Sequence, residues 1–348
     1  MTGAVLVTGA SGLVGAEVVA RLRAAGRPVI ALLHAASAVV GNDGTVLEPD
    51  ERLSGDVREP DFGGAAADLD GRVALIVHCA ATTAFDATER QYAELNVRGT
   101  ENVLALARRW AVPLVHVSTA YVCGMRGGTV LEDELEHGQA FGTGYEASKY
   151  RAEQLVRGSG LDWAVVRPGI VTGASDTGAI RDHKNLYTVL KLMVEGKLRS
   201  LPGRYDATLS LAPVDHVADV IATAALDFDR ARGRTLHAVG RDTLSLREVS
   251  DVLAEYPSFA VATFVPETTF EETDLPPIER EYYRRIGALY TSYFVRRLRF
   301  DTRNAELLRP APESGAEYLR LLLDHALEIG YLGDPLPSIE DILAGSRR

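Results

Sequence analysis

Tyr145 and Lys149 stand four residues apart in the stretch Tyr145-Glu146-Ala147-Ser148-Lys149. On a helix that spacing puts both head groups on one face and within reach of one point. Tyrosine ordinarily titrates near pH ~10 and transfers protons poorly at neutrality. An ammonium within about 4–6 Å favours the phenolate and can lower that value by about 1–3 pH units. Such a pair can give or take a proton near cellular pH. The same spacing also occurs on ordinary helix faces, so the chemistry depends on what the rest of the chain places around it.

The upstream elements supply that setting. Ala4–Val7 is a continuous apolar run, the pattern of a strand buried on both faces of a parallel sheet. It runs into Thr8-Gly9-Ala10-Ser11-Gly12-Leu13-Val14-Gly15 and then an apolar-periodic helix through Val18, Val19 and Leu22. Strand, glycine turn and helix is the context in which backbone amides and a positive helix end hold a pyrophosphate. The spacing is G-x-x-G-x-x-G, unlike the G-x-G-x-x-G of the standard fingerprint. Val29–Leu33 reads as the second strand. NAD-selective sites place an acid about 20 residues past the glycines, but this strand ends in Leu33-His34-Ala35-Ala36-Ser37. A ribose 2′-phosphate is therefore not repelled, and His34 and Ser37 could meet it, although no arginine stands there. That points to NADP(H), with NAD(H) as the alternative.

Asp56, followed by Val57, comes just after a third strand and could accept from an adenine amino group or bond its own turn. Val73–His78 is a fourth buried strand, leading into Cys79-Ala80-Ala81-Thr82-Thr83. Small residues such as Ala80, Ala81 and Thr82 leave room for a ligand at a strand's carboxyl end. His78 and Cys79 read as packing groups. Tyr92 to Trp110 reads as one long helix with Asn96 turned inward, where it would hold a water, the lysine or a neighbouring backbone group. Leu114–Val117 is a fifth strand, ending in the hydroxyls Ser118 and Thr119. Trp163–Arg167 is a sixth, closed by Pro168 and Gly169. Five β–α steps before strand six define an α/β, open, doubly wound parallel sheet.

Past Val171 the alternation breaks down. Residues 1–170 are expected to form the dinucleotide-binding domain, with 213–240 returning to it. Residues 171–348 otherwise form a smaller, mainly helical substrate lobe. With 348 residues, 46% of them hydrophobic, the chain can bury a large core, and a net charge of -11 argues against nucleic acid or an anionic membrane as partner. No apolar run is long enough to span a bilayer. With no cationic leader and a strand starting at once, the expected location is the cytoplasm. Two lone cysteines without C-x-x-C spacing give neither a disulfide framework nor a metal site. The chain is expected to act as a monomer or a homodimer. Arg280, Arg284, Arg285, Arg296, Arg297 and Arg299 form a basic region that could dock an acidic carrier protein or CoA phosphates, or could be a solvated face paired with Glu279 and Glu281. The nearby Tyr282, Tyr283, Tyr290, Tyr293 and Phe294 read as core and lid packing rather than a ligand cage.

Taken together, Thr8–Gly15, Gly55-Asp56-Val57, Asn96-Val97-x-Gly99-Thr100, Ser118-Thr119, Tyr145-x-x-x-Lys149 and Arg167-Pro168-Gly169 resemble the extended short-chain dehydrogenase/reductases, with a Rossmann sheet. The stretches His116–Val122 and Arg167–Gly173 look most like the fatty acyl-CoA reductase and thioester reductase branch. Cys123 stands where sugar-nucleotide epimerases and dehydratases usually have tyrosine. The resemblance implies that Thr8, Gly9, Ser11, Gly12, Leu13, Val14, Gly15, His34, Asp56, Val57, Ala80, Ala81, Thr82 and Asn96 surround the cofactor, with Pro168, Gly169, Ile170 and Val171 holding its carboxamide. It also implies that Thr119, with Ser118 as the less favoured choice, hydrogen-bonds the substrate oxygen. Tyr145 handles the proton there, and Lys149 binds the nicotinamide ribose and lowers the phenol's pKa. The implied reaction is hydride transfer to a carbonyl, or to a thioester that collapses through a hemithioacetal to an aldehyde. A thioester would arrive on an acyl carrier protein or CoA. The alternatives are an NAD-dependent sugar-nucleotide epimerase or dehydratase, and a non-catalytic dinucleotide-binding protein.

Overall fold

Seven strands assemble into one parallel sheet in the computed structural model, which describes residues 3–333. They are β1 (Ala4–Thr8), β2 (Val29–Leu33), β3 (Glu51–Ser54), β4 (Val73–His78), β5 (Leu114–Val117), β6 (Trp163–Pro168) and β7 (Thr235–Ala238). In space they run β7-β6-β5-β4-β1-β2-β3. The central strands are buried on both faces, which is why they read as unbroken apolar runs. Edge strand β3 instead alternates half-buried and exposed residues and carries Glu51 and Arg52, a pattern that discourages edge-to-edge pairing. The order reverses between β1 and β4, and a ligand crevice opens at the carboxyl ends of such a pair. Helices α1 (Leu13–Ala24) and α5 (Val214–Leu226) cover one face, packing Val18, Val19 and Leu22 with Val217, Val220 and Ile221. Helices α2 (Gly99–Trp110) and α3 (Gly144–Arg157) cover the other, where Val103, Leu106 and Val156 meet Leu6, Ile76 and Leu114.

Two helices depart from simple amphipathic form. The segment expected as a single helix from Tyr92 begins at Glu89, capped by Thr88, and passes through a π turn at Ala93–Arg98 before α2. Such turns often mark functional sites, and this one holds Asn96 in the interior, 1% exposed. On α3, the buried stripe carries Glu146, Lys149 and Glu153 among its apolar residues. A helix that buries three ionisable groups must satisfy each one internally.

The lobe is mainly helical. It contains α4 (Leu186–Val194), α6 (Leu246–Leu253) and α7 (Ala316–Glu328). Strands of two or three residues stitch them together. Ser200–Pro202 pairs with Thr263–Val265, and Leu298–Phe300 pairs with Gly128–Val130. The boundary also interleaves. Tyr121, Cys123 and Val130 belong to the lobe's core, whereas Ala305 packs into the sheet-side core. Residues 334–348 of the expected lobe lie outside the described residues. Among the described residues, no helix is long and apolar enough to cross a membrane, and no cluster of three or more side chains could hold a metal ion.

Candidate active site

The glycine turn is shaped to leave backbone bare. Gly9 has φ +66°, and a Cβ there would lie 2.6 Å from the Ala80 nitrogen; a Cβ on Gly15 would lie 2.1 Å from the Gly9 carbonyl oxygen. Helix α1 starts after Gly12 with no side chain capping it, so its first amides remain available to an anion. Two cavities meet at this turn and share Gly9, Gly12, Cys79 and Ala81. One, of about 350 Å³, runs past Ser11 and Ala80 to His34, Asp56 and Val57. The other, of about 320 Å³, runs past Leu13, Val14 and Gly15 to Thr119, Tyr145, Gly169, Ile170 and Val171. The helix start and the two arms would hold an extended dinucleotide, the bare amides after Gly12 taking its pyrophosphate.

Several expected ligand contacts turn out to be supports. Thr8 is fully buried; its Oγ1 pairs with His78 Nδ1 at 2.7 Å and accepts from the Ala80 amide at 3.3 Å. Asn96 holds the backbone of Thr82 from both sides, accepting from its amide at 2.8 Å and donating to its carbonyl at 3.1 Å, and it donates to Ser148 Oγ at 2.9 Å. It thus fixes the loop that walls the crevice and does not touch Lys149 through any of these bonds. Ser118 points into the protein and donates to Glu153 at 2.7 Å. That removes it from contact with a substrate.

Thr119 is placed differently. It caps the short turn Ala120–Cys123, yet both of its hydroxyl partners, the Tyr121 amide and the Pro168 carbonyl, are 3.4 Å away. Such long bonds are readily exchanged for a substrate oxygen. Tyr145 faces the same cavity. Burial pushes its phenol up to about 12, with the adjacent Thr119 hydroxyl pulling the other way and Glu146 adding to the rise. Lys149, 2% exposed, donates to the Val117 carbonyl at 2.6 Å. In this state the ammonium is not what governs the phenol, contrary to the reading from spacing alone. Burial lowers Lys149 to about 8, with Glu153 opposing.

The lysine's burial has a measurable cost. Its folded value lies below that of the unfolded chain, so charging it disfavours folding at every pH below about 8. As pH rises from about 8 towards the ordinary lysine value of 10.5, the native state sheds the proton before the unfolded state does, and the cost disappears. The ligand-free Lys149→Met variant is therefore expected to melt above wild type at pH 7, with the gap closing between pH 8 and 10.5. Thermal melts across that range check this; a variant that melts below wild type at pH 7 contradicts it.

Two buried ionic clusters hold the site in register. Glu153, with no exposed side chain, binds Arg167 through Nε at 3.0 Å and Nη2 at 2.7 Å, and Arg157 through Nε at 2.9 Å. Burial alone would raise this carboxyl, but Arg167 first and Arg157 after it hold it below the usual range. Arg296, counted among the surface arginines from sequence, is 3% exposed. It donates to Glu146 at 2.8 Å and to the Gly124 carbonyl at 3.0 Å, and lies over the touching rings of Tyr121 and Tyr293, 5.1 and 4.6 Å from their centroids. The lobe is thereby clipped to the residue next to Tyr145. The remaining basic region is largely engaged: Arg284 pairs with Glu272, Arg285 with Glu281, and Arg280 donates to three backbone carbonyls. Glu279 accepts from the amides of Arg199 and Ser200 and so is not an arginine's partner.

The second cavity's walls were the least legible. Tyr290, Tyr293 and Phe294 line it, whereas Tyr282 and Tyr283 pack against the lobe core. Phe85 stacks on Tyr293 at 5.5 Å and tilts against Tyr145 at 5.8 Å. No motif marked Phe85. Leu186, Val189 and Leu209 complete an apolar surface, and Asp182 and Lys184 also border it.

This sheet, crevice and glycine turn define an enzyme of the extended short-chain dehydrogenase/reductase type. Residues 7–221 match the family model described as male sterility protein, an NAD-binding family, and the chain belongs to that family. It is 35% identical over 238 residues to 4-hydroxy-2-methyl-3-oxo-4-farnesyl-3,4-dihydroquinoline-1-oxide ketoreductase of Stigmatella aurantiaca, covering 65% of each chain. It is 27% identical over 228 residues to the L-2-aminoadipate reductase large subunit of Penicillium chrysogenum, covering 59% of this chain and 16% of that one. The matches thus span under two thirds of these relatives' lengths. Among solved structures, the terminal R domain from the myxalamid PKS-NRPS pathway shares the fold, with a TM-score of 0.80 at 24% identity over 96% of this chain and 94% of that one.

Proposed function

We propose that the protein reduces a carbonyl group, free or as a thioester, on a largely apolar substrate with NADPH. The observation that carries this reading is the shared cavity: the Thr119 hydroxyl and the Tyr145 phenol face one apolar, aromatic-walled space that continues to the glycine turn. A bound nicotinamide dinucleotide would supply the hydride. The chain's own residues do the rest. Thr119 exchanges its long bonds for the substrate oxygen and holds it. Tyr145, with a phenol too weak an acid to ionise on its own, donates its proton to that oxygen as negative charge develops there. Lys149 offers N–H donors to the cofactor ribose and leaves the Val117 carbonyl to do so. Nearer the phenol, its charge then lowers the cost of proton loss. Phe85, Tyr290 and Tyr293 exclude water from the reacting centre.

The apolar walls also weigh against a sugar nucleotide, whose diphosphate needs cationic partners. Lys184 is the one cation among the described residues that border this cavity. The test is oxidation of NADPH and NADH by the purified protein against acyl-CoA and carrier thioesters, apolar ketones, aldehydes and sugar nucleotides. Turnover of an apolar carbonyl or thioester with NADPH is expected. Turnover confined to sugar nucleotides, or none with any of the panel, defeats the proposal.

A further inference from the structure

Tyr121 lies two residues past Thr119 and lines the same cavity, as do Gly169 and Leu209. Its ring is well held. Tyr293 tilts against it at 4.6 Å, Phe300 meets it edge-on at 5.6 Å, and the Arg296 guanidinium lies 5.1 Å from its centroid. Its hydroxyl, by contrast, is buried and has no hydrogen-bond partner of normal geometry among the described residues. The groups packed nearby do not take its proton. Arg296 can only donate, and it does so to Glu146 and to the carbonyls of Gly124 and Ser292. The Ser210 carbonyl accepts from the Ile170 amide at 2.9 Å. The Ser210 N–H favours the ionised phenol and can only donate to its oxygen, which leaves the O–H proton unplaced. Burial keeps that proton on, raising the phenol above the ordinary tyrosine range.

We infer that Tyr121 is a specificity-determining residue whose O–H donates to a second, neutral acceptor oxygen on the substrate, separate from the carbonyl that is reduced. The inference rests on the carbonyl-reduction reading proposed above and narrows its substrate to one that carries a further carbonyl, ether or amide oxygen. A buried hydroxyl without a partner destabilises the folded protein, and phenylalanine would fill the same space without that penalty. In a cavity wall the penalty is offset once a ligand supplies an acceptor. The carbonyl under reduction cannot be that acceptor as well. Its oxygen has two lone pairs, and the mechanism above already assigns them to Thr119 and Tyr145. A carboxylate is the poorer occupant, because Glu146 already balances the Arg296 charge and a second buried anion would be stranded.

The test has two arms on the full chain, both using Tyr121→Phe. The first is a thermal melt without ligand. The variant is expected to melt about 2 °C or more above wild type, because it removes a polar group that has no partner. The second compares kcat/KM with NADPH for a long-chain methyl ketone and an acyl-CoA thioester against their ethers, in which one oxygen replaces each methylene in turn. Wild type is expected to prefer one ether position over the parent compound by about tenfold or more, and in Tyr121→Phe that ratio should fall to about one. A variant that melts below wild type shows that the hydroxyl already has a partner, such as a bound water, and overturns the inference. So does a wild type that treats parent and ethers alike, or a variant that keeps the preference. In each of these cases the carbonyl-reduction reading stands. If neither parent nor any ether is reduced, both fall.

Discussion

The Tyr145→Phe variant is expected to lose about 10²–10⁴-fold in kcat, the usual contribution of a positioned acid–base group, while binding NADPH as wild type does. The expectation follows from geometry. The phenol faces the cavity beside Thr119, and burial keeps it protonated at about 12 until it is used. Phenylalanine keeps the ring packed against Phe85 and deletes only the hydroxyl. Lys149 and the glycine turn, which would hold the dinucleotide, are untouched. Fluorescence titration with NADPH alongside turnover separates the two effects. A variant that retains more than a tenth of wild-type kcat removes Tyr145 from the chemistry.

The second large effect is structural. Glu153→Gln leaves Arg167, with no exposed side chain, and the partly buried Arg157 without a counter-charge. Removing one partner of a buried ion pair typically costs about 3–5 kcal/mol, which denaturant melts of the variant should reveal. The substitution also leaves one side-chain oxygen where Ser118, Arg157 and Arg167 now share two, and so loosens the strand end that presents Thr119. The folded value of Glu153 lies below its ordinary 4.5, so its stabilisation is fully present above that pH and is lost as pH falls through the folded value. Replacing Glu153 and Arg167 together by leucine and methionine should restore much of the stability, since the fully buried charge is then gone and only the partly exposed Arg157 loses its partner. A Glu153→Gln protein as stable as wild type would show the cluster to be ornamental.

Sequence reasoning reached the sheet and the glycine turn because their signals are local. The apolar runs from Ala4 to Val7 and from Val73 to His78, and three glycines within seven residues, need no partner to be read. It failed where the determinant is a contact between distant stretches. Arg296 looked like surface charge because its partner Glu146 lies 150 positions away. Leu298–Phe300 is too short to announce itself as a strand, and it forms only because Gly128–Val130 lies alongside. Lys149 shows a third limit. Its spacing from Tyr145 was read correctly as one helix face, but spacing does not say which neighbour an ammonium chooses, and here a backbone carbonyl takes it.

The seat of Arg296 against Tyr121 and Tyr293 bears on any attempt to retarget this protein. Both rings form part of the pocket wall, so enlarging the pocket at either one also loosens the clip that steadies helix α3. Selectivity and rate are tied together on that side. The opposite wall, where Leu186 and Val189 contribute only apolar surface, is where substrate scope can be altered with the catalytic groups left undisturbed.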